Sequence, residues 1–238
     1  MEEQFMRTEM LLGSAALETL SASHVAVVGL GGVGSWCAEA LCRTGVGALT
    51  LLDQDTVSVS NLNRQAGALW STVGRSKAEA LAERLADINP ACRLTPLACR
   101  YEAETRDTFF AGGYDYIVDA IDLVSCKLDL IETALTRGVP ILSALGTGNK
   151  LDPTRLEVTD LSKTQGCPLA RIIRKELRKR GIEHHKVVYS SEPARSAAPG
   201  TEAPPPGRRS IPASVIWVPA SAGLLLAAEV VRDLTGAF

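Results

Sequence analysis

The chain is predicted to be α/β: a Rossmann-like, doubly wound, mostly parallel sheet with a C-terminal strand and helix extension. Three observations lead there. Short apolar runs at 24–28, 48–53 and 116–120 alternate with helical stretches, as parallel strands covered on both faces do. The first two runs bracket Gly29-Leu30-Gly31-Gly32-Val33-Gly34 and a helix, the strand–turn–helix–strand order of a nucleotide-binding half-fold. With 238 residues, 46% of them apolar, there is enough to bury such a core.

Taken in order, residues 2–20 read as one opening helix, with Phe5, Met6, Leu12 and Leu20 on an irregular apolar face. Ser76-Lys77-Ala78-Glu79 is a capping box that opens a helix stopped by Asn89-Pro90. Residues 93–99 form a weaker strand, which Pro96 confines to an edge or a bulge. A short helix at 103–111, a buried strand at 116–120, a helix at 125–137 and a strand at 139–144 follow. Further on, strands at 155–160 and 186–189 flank a basic helix at 168–180. Residues 191–209, rich in Pro, Ala and Gly, are expected to be a flexible loop. A strand at 214–218 and a helix at 220–234 close the core. The expected division is a nucleotide-binding core with its opening helix over 1–160 and a C-terminal extension over 161–238.

Composition narrows the setting. A net charge of −2 announces no polyanion partner globally, so any such surface must be local. The six cysteines are scattered without a C-x-x-C pair, which suits a reducing compartment and argues against structural zinc. The first residues lack the basic and apolar regions of a signal peptide. The apolar stretch 211–231 is interrupted by Pro212, Pro219 and Glu229, so it reads as buried rather than membrane-spanning. The expected location is cytoplasmic.

The glycine loop has a physical use. Gly29 allows the tight turn, Gly31 lets the backbone approach a phosphate, and Gly34 lets helix and strand pack closely. The helix N-terminus behind it presents unpaired amides to an anion. Asp53 ends the second strand, 19 residues after Gly34, where a carboxylate can accept ribose hydroxyls. Asp55, Asn61, Arg64 and Lys77 follow. Hydride transfer needs no such cluster, whereas attack on the α-phosphate of a triphosphate calls for positioned cations. A lysine in the first turn of a helix opposes its dipole, so Lys77 implies an anion nearby.

These segments, with Leu52-Asp53-x-Asp55, Ser60-Asn61-Leu62-Asn63-Arg64-Gln65, Gly74-Arg75-Ser76-Lys77 and Asp119-Ala120-Ile121-Asp122, resemble the adenylating-enzyme superfamily. That superfamily includes ubiquitin-activating enzymes and the ThiF and MoeB adenylyltransferases. Gly34-Ser35-Trp36, Asp119-Ala120-Ile121-Asp122, residues 158–164 and Cys167-Pro168-Leu169-Ala170 resemble its tRNA threonylcarbamoyladenosine dehydratase branch. The resemblance implies ATP held by Gly29, Gly31, Gly32, Gly34, Asp53, Asp55, Asn61, Arg64 and Lys77, with Arg64 and Lys77 also catalytic. It implies Mg²⁺ on a catalytic Asp122, and a homodimer in which Arg7 reaches the partner's ATP. It further implies tRNA as substrate, with a sulfur-relay protein as a further partner. The implied reaction is ATP-dependent cyclisation of threonylcarbamoyladenosine through carboxylate adenylation. The alternative is activation of the C-terminal Gly-Gly of a ubiquitin-like sulfur carrier. The missing zinc pairs, and the lack of any cysteine beyond Cys167, count against that alternative and leave a thiol step without a late candidate.

The stretch from Arg171 to Lys186 carries +5 in a chain whose remainder is −7. A solvated helix face is the bland explanation. Beside an adenylation site, Arg171, Arg174, Lys175, Arg178, Lys179 and Arg180 read instead as contacts to a nucleic-acid backbone. His184 and His185 are expected to be loop residues without a role.

Overall fold

The computed structural model describes residues 3–196, 198 and 212–238. Its elements in chain order are α1 (Met6–Leu12), α2 (Ser14–Ala22), β1 (His24–Val28), α3 (Gly34–Thr44), β2 (Ala48–Leu52) and α4 (Lys77–Ile88). Then come β3 (Arg93–Leu97), α5 (Arg106–Phe110), β4 (Tyr116–Asp119), α6 (Val124–Thr136) and β5 (Ile141–Ala144). The last are β6 (Leu156–Asp160), α7 (Pro168–Lys179), β7 (Lys186–Ser190) and α8 (Trp217–Thr235).

The strands form one seven-stranded sheet in the order β3-β2-β1-β4-β5-β7-β6. All neighbours pair in parallel except β6 and β7, which run antiparallel. The doubly wound α/β expectation is therefore met, and β7 draws the region after residue 160 into the same sheet. Pro96 sits in β3, an edge strand, where a missing N–H costs no ladder bond.

Alternation along the central strands sorts the core into two layers. Val25 and Val27 face a cluster with Leu41 of α3, Leu81 of α4 and Leu226 of α8. Ala26 and Val28 face the other side, with Leu130 of α6 and Ile173 of α7. The chain order reverses between β1 and β4, so the loops leaving those two strands splay apart at the C-terminal edge. That crevice is where open α/β sheets bind ligands.

Two expectations need correction. The opening helix is broken: Gly13 takes φ +86°, ψ 161°, so a short 3-10 turn plus α1 precede it and α2 follows. No strand forms at 214–218. Val218, Ala222, Leu226 and Val230 recur every fourth residue at 0% exposure, so helical burial wins over the short β-branched run. Pro219 falls in the first turn of α8, where a backbone N–H has no intrahelical partner to lose. Within the predicted loop, residues 191–196 hold no helix or strand, while 197 and 199–209 lie outside the described residues.

Candidate active site

The glycine loop opens straight from β1. Gly29 adopts φ +91°, and a Cβ there would stand 2.6 Å from Ala120 O, so only glycine lets this turn lie against the end of β4. Gly34 packs still closer, its imagined Cβ falling 1.8 Å from Gly29 O. Gly31 differs: nothing lies within 4 Å of where its Cβ would be. The space in front of that loop is open to a bound group.

Asp53 follows β2 on the same edge. Its Oδ2 accepts the Leu30 N–H at 2.7 Å and its Oδ1 the Asp55 N–H at 2.9 Å. Burial pushes this carboxyl above the usual range, against the opposing pull of Lys77 and these two amides. An ionised carboxylate has about four acceptor positions, so two stay available to ribose hydroxyls.

The Asn61–Gln65 turn is clamped onto the start of α3. Ser35 donates to Gly31 O at 2.7 Å and accepts the Ala66 N–H at 3.0 Å, and Trp36 Nε1 donates to Arg64 O at 2.9 Å. Asn61 is buried, with its Oδ1 accepting the Ser58 N–H at 3.1 Å. Arg64 lays its aliphatic stem across Gly32, and its Nη1 donates to Ser60 O and Asn63 Oδ1, each at 2.8 Å. Burial lowers its pKa from the ordinary arginine value. Lys77, at the start of α4, shares a small cleft with Leu30, Ser35 and Gln65. The anion its position demands is Asp55, whose Oδ2 is 2.9 Å from Lys77 Nζ. Ser76 caps that helix by accepting the Glu79 N–H at 3.4 Å.

The structure thus gathers Gly29, Gly31, Gly32, Gly34, Asp53, Asp55, Asn61, Arg64 and Lys77 on one edge. Asp122 is exposed in the turn between β4 and α6. Arg7 lies apart, exposed on α1. Among the described residues no three His, Cys, Asp or Glu side chains are grouped to hold a metal ion.

The basic helix is less uniform than its sequence. Arg174 turns inward, its Nη1 donating to Thr164 O at 2.8 Å and to Thr164 Oγ1 at 2.7 Å. Arg180 pairs with Glu132 and Lys179 with Glu176. Arg171, Lys175 and Arg178 remain exposed.

Sequence reasoning missed a buried polar cluster beneath the site: Asp119, Lys127, Ser143 and His185, all 4% exposed or less. His185 lies in the loop just before β7, as expected, but it is buried there, with its Nε2 2.7 Å from Ser143 Oγ. The signal was present, since Lys127 shares a helical stripe with buried Ile131 and Ala134, where a lone charge demands a partner.

The ThiF family profile matches residues 4–237. A tRNA threonylcarbamoyladenosine dehydratase of Bacillus subtilis (strain 168) is 43% identical over 98% of this chain and 95% of its own. The crystal structure of the Escherichia coli tRNA N6-threonylcarbamoyladenosine dehydratase in complex with ATP matches with TM-score 0.89. Its identity is 36%, over 98% of this chain and 94% of that one. A molybdopterin-synthase adenylyltransferase of Salmonella typhimurium is 42% identical, but over 53% of this chain and 50% of its own. The chain belongs to the ThiF family.

Proposed function

We propose that this protein is an ATP-dependent tRNA threonylcarbamoyladenosine dehydratase. The single observation carrying this is the open space before Gly31, framed on one sheet edge by Asp53, Arg64 and Lys77. In this reading the triphosphate lies before Gly31, with backbone amides and two cations around its phosphates. The near full-length likeness to dehydratases, one of them solved with ATP, favours tRNA as substrate. The likeness to the molybdopterin-synthase adenylyltransferase stops at about half the chain, so the sulfur-carrier alternative has the weaker support.

In this reading the carboxylate of the threonylcarbamoyl group attacks the α-phosphorus of ATP and pyrophosphate leaves. An intramolecular nucleophile then closes the ring and expels AMP, so the nucleoside loses one water overall. Asp53 holds the ribose, Asn61 orders the turn, and Arg64 and Lys77 neutralise charge growing on the phosphates. Asp122, exposed in the turn after β4, would hold Mg²⁺, a hard cation suited to carboxylate oxygen, which would offset phosphate charge. Exposed Met6, Met10 and Leu11 on α1 favour a homodimer with Arg7 directed to the partner's site. Arg171, Lys175 and Arg178 are the groups best placed for tRNA phosphates. A sulfur-relay partner rests on the family likeness alone, and a cytoplasmic setting on the tRNA substrate. No described helix is long and apolar enough to cross a membrane.

The test is ATP–pyrophosphate exchange with and without modified tRNA, together with the nucleoside mass. AMP release and loss of one water are expected, with Arg64→Ala reducing both by about 10²-fold or more. Exchange with a sulfur carrier but not with tRNA would sink the proposal.

A further inference from the structure

The cluster beneath the site has a definite hydrogen-bond direction. Asp119 ends β4, and its Oδ2 accepts Lys127 Nζ and Ser143 Oγ, each at 2.6 Å. Ser143 has one proton and spends it on a carboxylate that can only accept, so its 2.7 Å contact with His185 Nε2 must be an N–H donated by the imidazole. Lys127 also donates to Ala144 O at 3.0 Å. The remaining carboxylate oxygen, Oδ1, accepts the Ile121 N–H at 3.0 Å. That last bond bends the chain as it leaves the sheet, between Ala120, which abuts Gly29, and the exposed Asp122.

Fold stability gives little reason for such a cluster. A salt bridge at 0% exposure on both sides carries a desolvation cost that roughly cancels its attraction, and apolar pairs of like size often serve as well. Its geometry gives a better reason. We propose that Asp119 is a positioning residue: held from β5, α6 and the start of β7 through Ser143, Lys127 and His185, it fixes the Ala120–Asp122 turn against the glycine loop in the arrangement that binds the triphosphate. This rests on the ATP reading above for its consequence, but the turn itself can be watched without nucleotide.

The experiment pairs two doubly substituted proteins. Asp119→Leu with Lys127→Met removes the charges and the bond to Ile121; Asp119→Asn with Lys127→Met removes the charges but keeps an acceptor for Ile121. Both are expected to fold, with similarly lowered melting temperatures, because Lys127→Met takes the donor from Ala144 O in each. The Leu pair should lose at least tenfold in ATP affinity by calorimetry, and the Asn pair should recover most of it. In nucleotide-free protein, amide hydrogen exchange across 120–123 should quicken at least tenfold in the Leu pair and not in the Asn pair. If the Leu pair fails to fold, Ser143→Ala gives the same exchange readout, with a smaller acceleration confined to that turn. Wild-type exchange rates in the Leu pair, or in Ser143→Ala where that substitutes for it, would overturn the positioning role. Failure of wild-type protein to bind ATP would instead overturn the functional reading.

Discussion

Lys77 Nζ lies 2.9 Å from Asp55 Oδ2, so the first-turn cation of α4 is held by a carboxylate that leaves the end of β2. The pairing offsets the unfavourable meeting of a lysine with a helix N-terminus. It also means that an incoming triphosphate must compete for Lys77. Lys77→Ala should lower AMP formation by about 10²-fold or more, because it removes one of the two cations ascribed to the phosphates. Asp55→Ala releases Lys77 and should cost less than about tenfold, since a freed lysine can still meet a phosphate. ATP–pyrophosphate exchange on both variants measures the contrast.

Two glycines three residues apart, Gly31 and Gly34, separate binding from folding. Gly34→Ala places a methyl 1.8 Å from Gly29 O, and should cost about 3 kcal/mol or more of stability, seen as a collapse in melting temperature. Gly31→Ala meets nothing within 4 Å and should leave the melting temperature close to wild type. Its methyl points into the space ascribed to phosphate, so nucleotide affinity should fall instead. Equal effects of the two substitutions on stability would refute the assignment.

Arg174 and its neighbours on α7 should behave differently. Replacing Arg171, Lys175 and Arg178 by Glu is expected to weaken tRNA binding and to flatten its log–log salt dependence by roughly 2–3 units, one phosphate each. Arg174→Ala should leave the salt slope alone. It should cost about 1–3 kcal/mol of stability by stranding the Thr164 carbonyl that it caps. Filter binding over a salt series, with thermal melts, separates the two.

His185 makes a prediction about acid. Burial, helped by the nearby Lys127 charge, drops its pKa from 6.5 to about 4, so the folded ring stays neutral where the unfolded one protonates. Between those two values the unfolded state binds more protons, so stability falls as pH is lowered through 6.5 toward 4. The loss is up to about 3 kcal/mol by linkage. His185→Gln should flatten the stability–pH curve in that window relative to wild type; parallel curves from chemical denaturation would rule this out.

Much of the site was legible in the chain because strand, glycine loop and strand-end carboxylate are local patterns. The apolar runs at 24–28 and 116–120, and the glycine spacing between Gly29 and Gly34, set the sheet and its phosphate-sized turn by steric and burial rules acting over a few residues. Residues near in sequence, such as Asp53 and Asp55 or Ser76 and Glu79, could be read together. What tertiary structure alone decided were the long-range partners. The inward turn of Arg174, the burial of His185 and the Asp119–Lys127–Ser143 cluster depend on strands and helices up to dozens of residues apart being brought side by side. The helical start of α8 at Trp217 belongs with them, because packing of Val218 and Ala222 outweighed a local strand preference. Local rules place a charge on an element; only the packed fold says which opposite charge, or which carbonyl, will meet it.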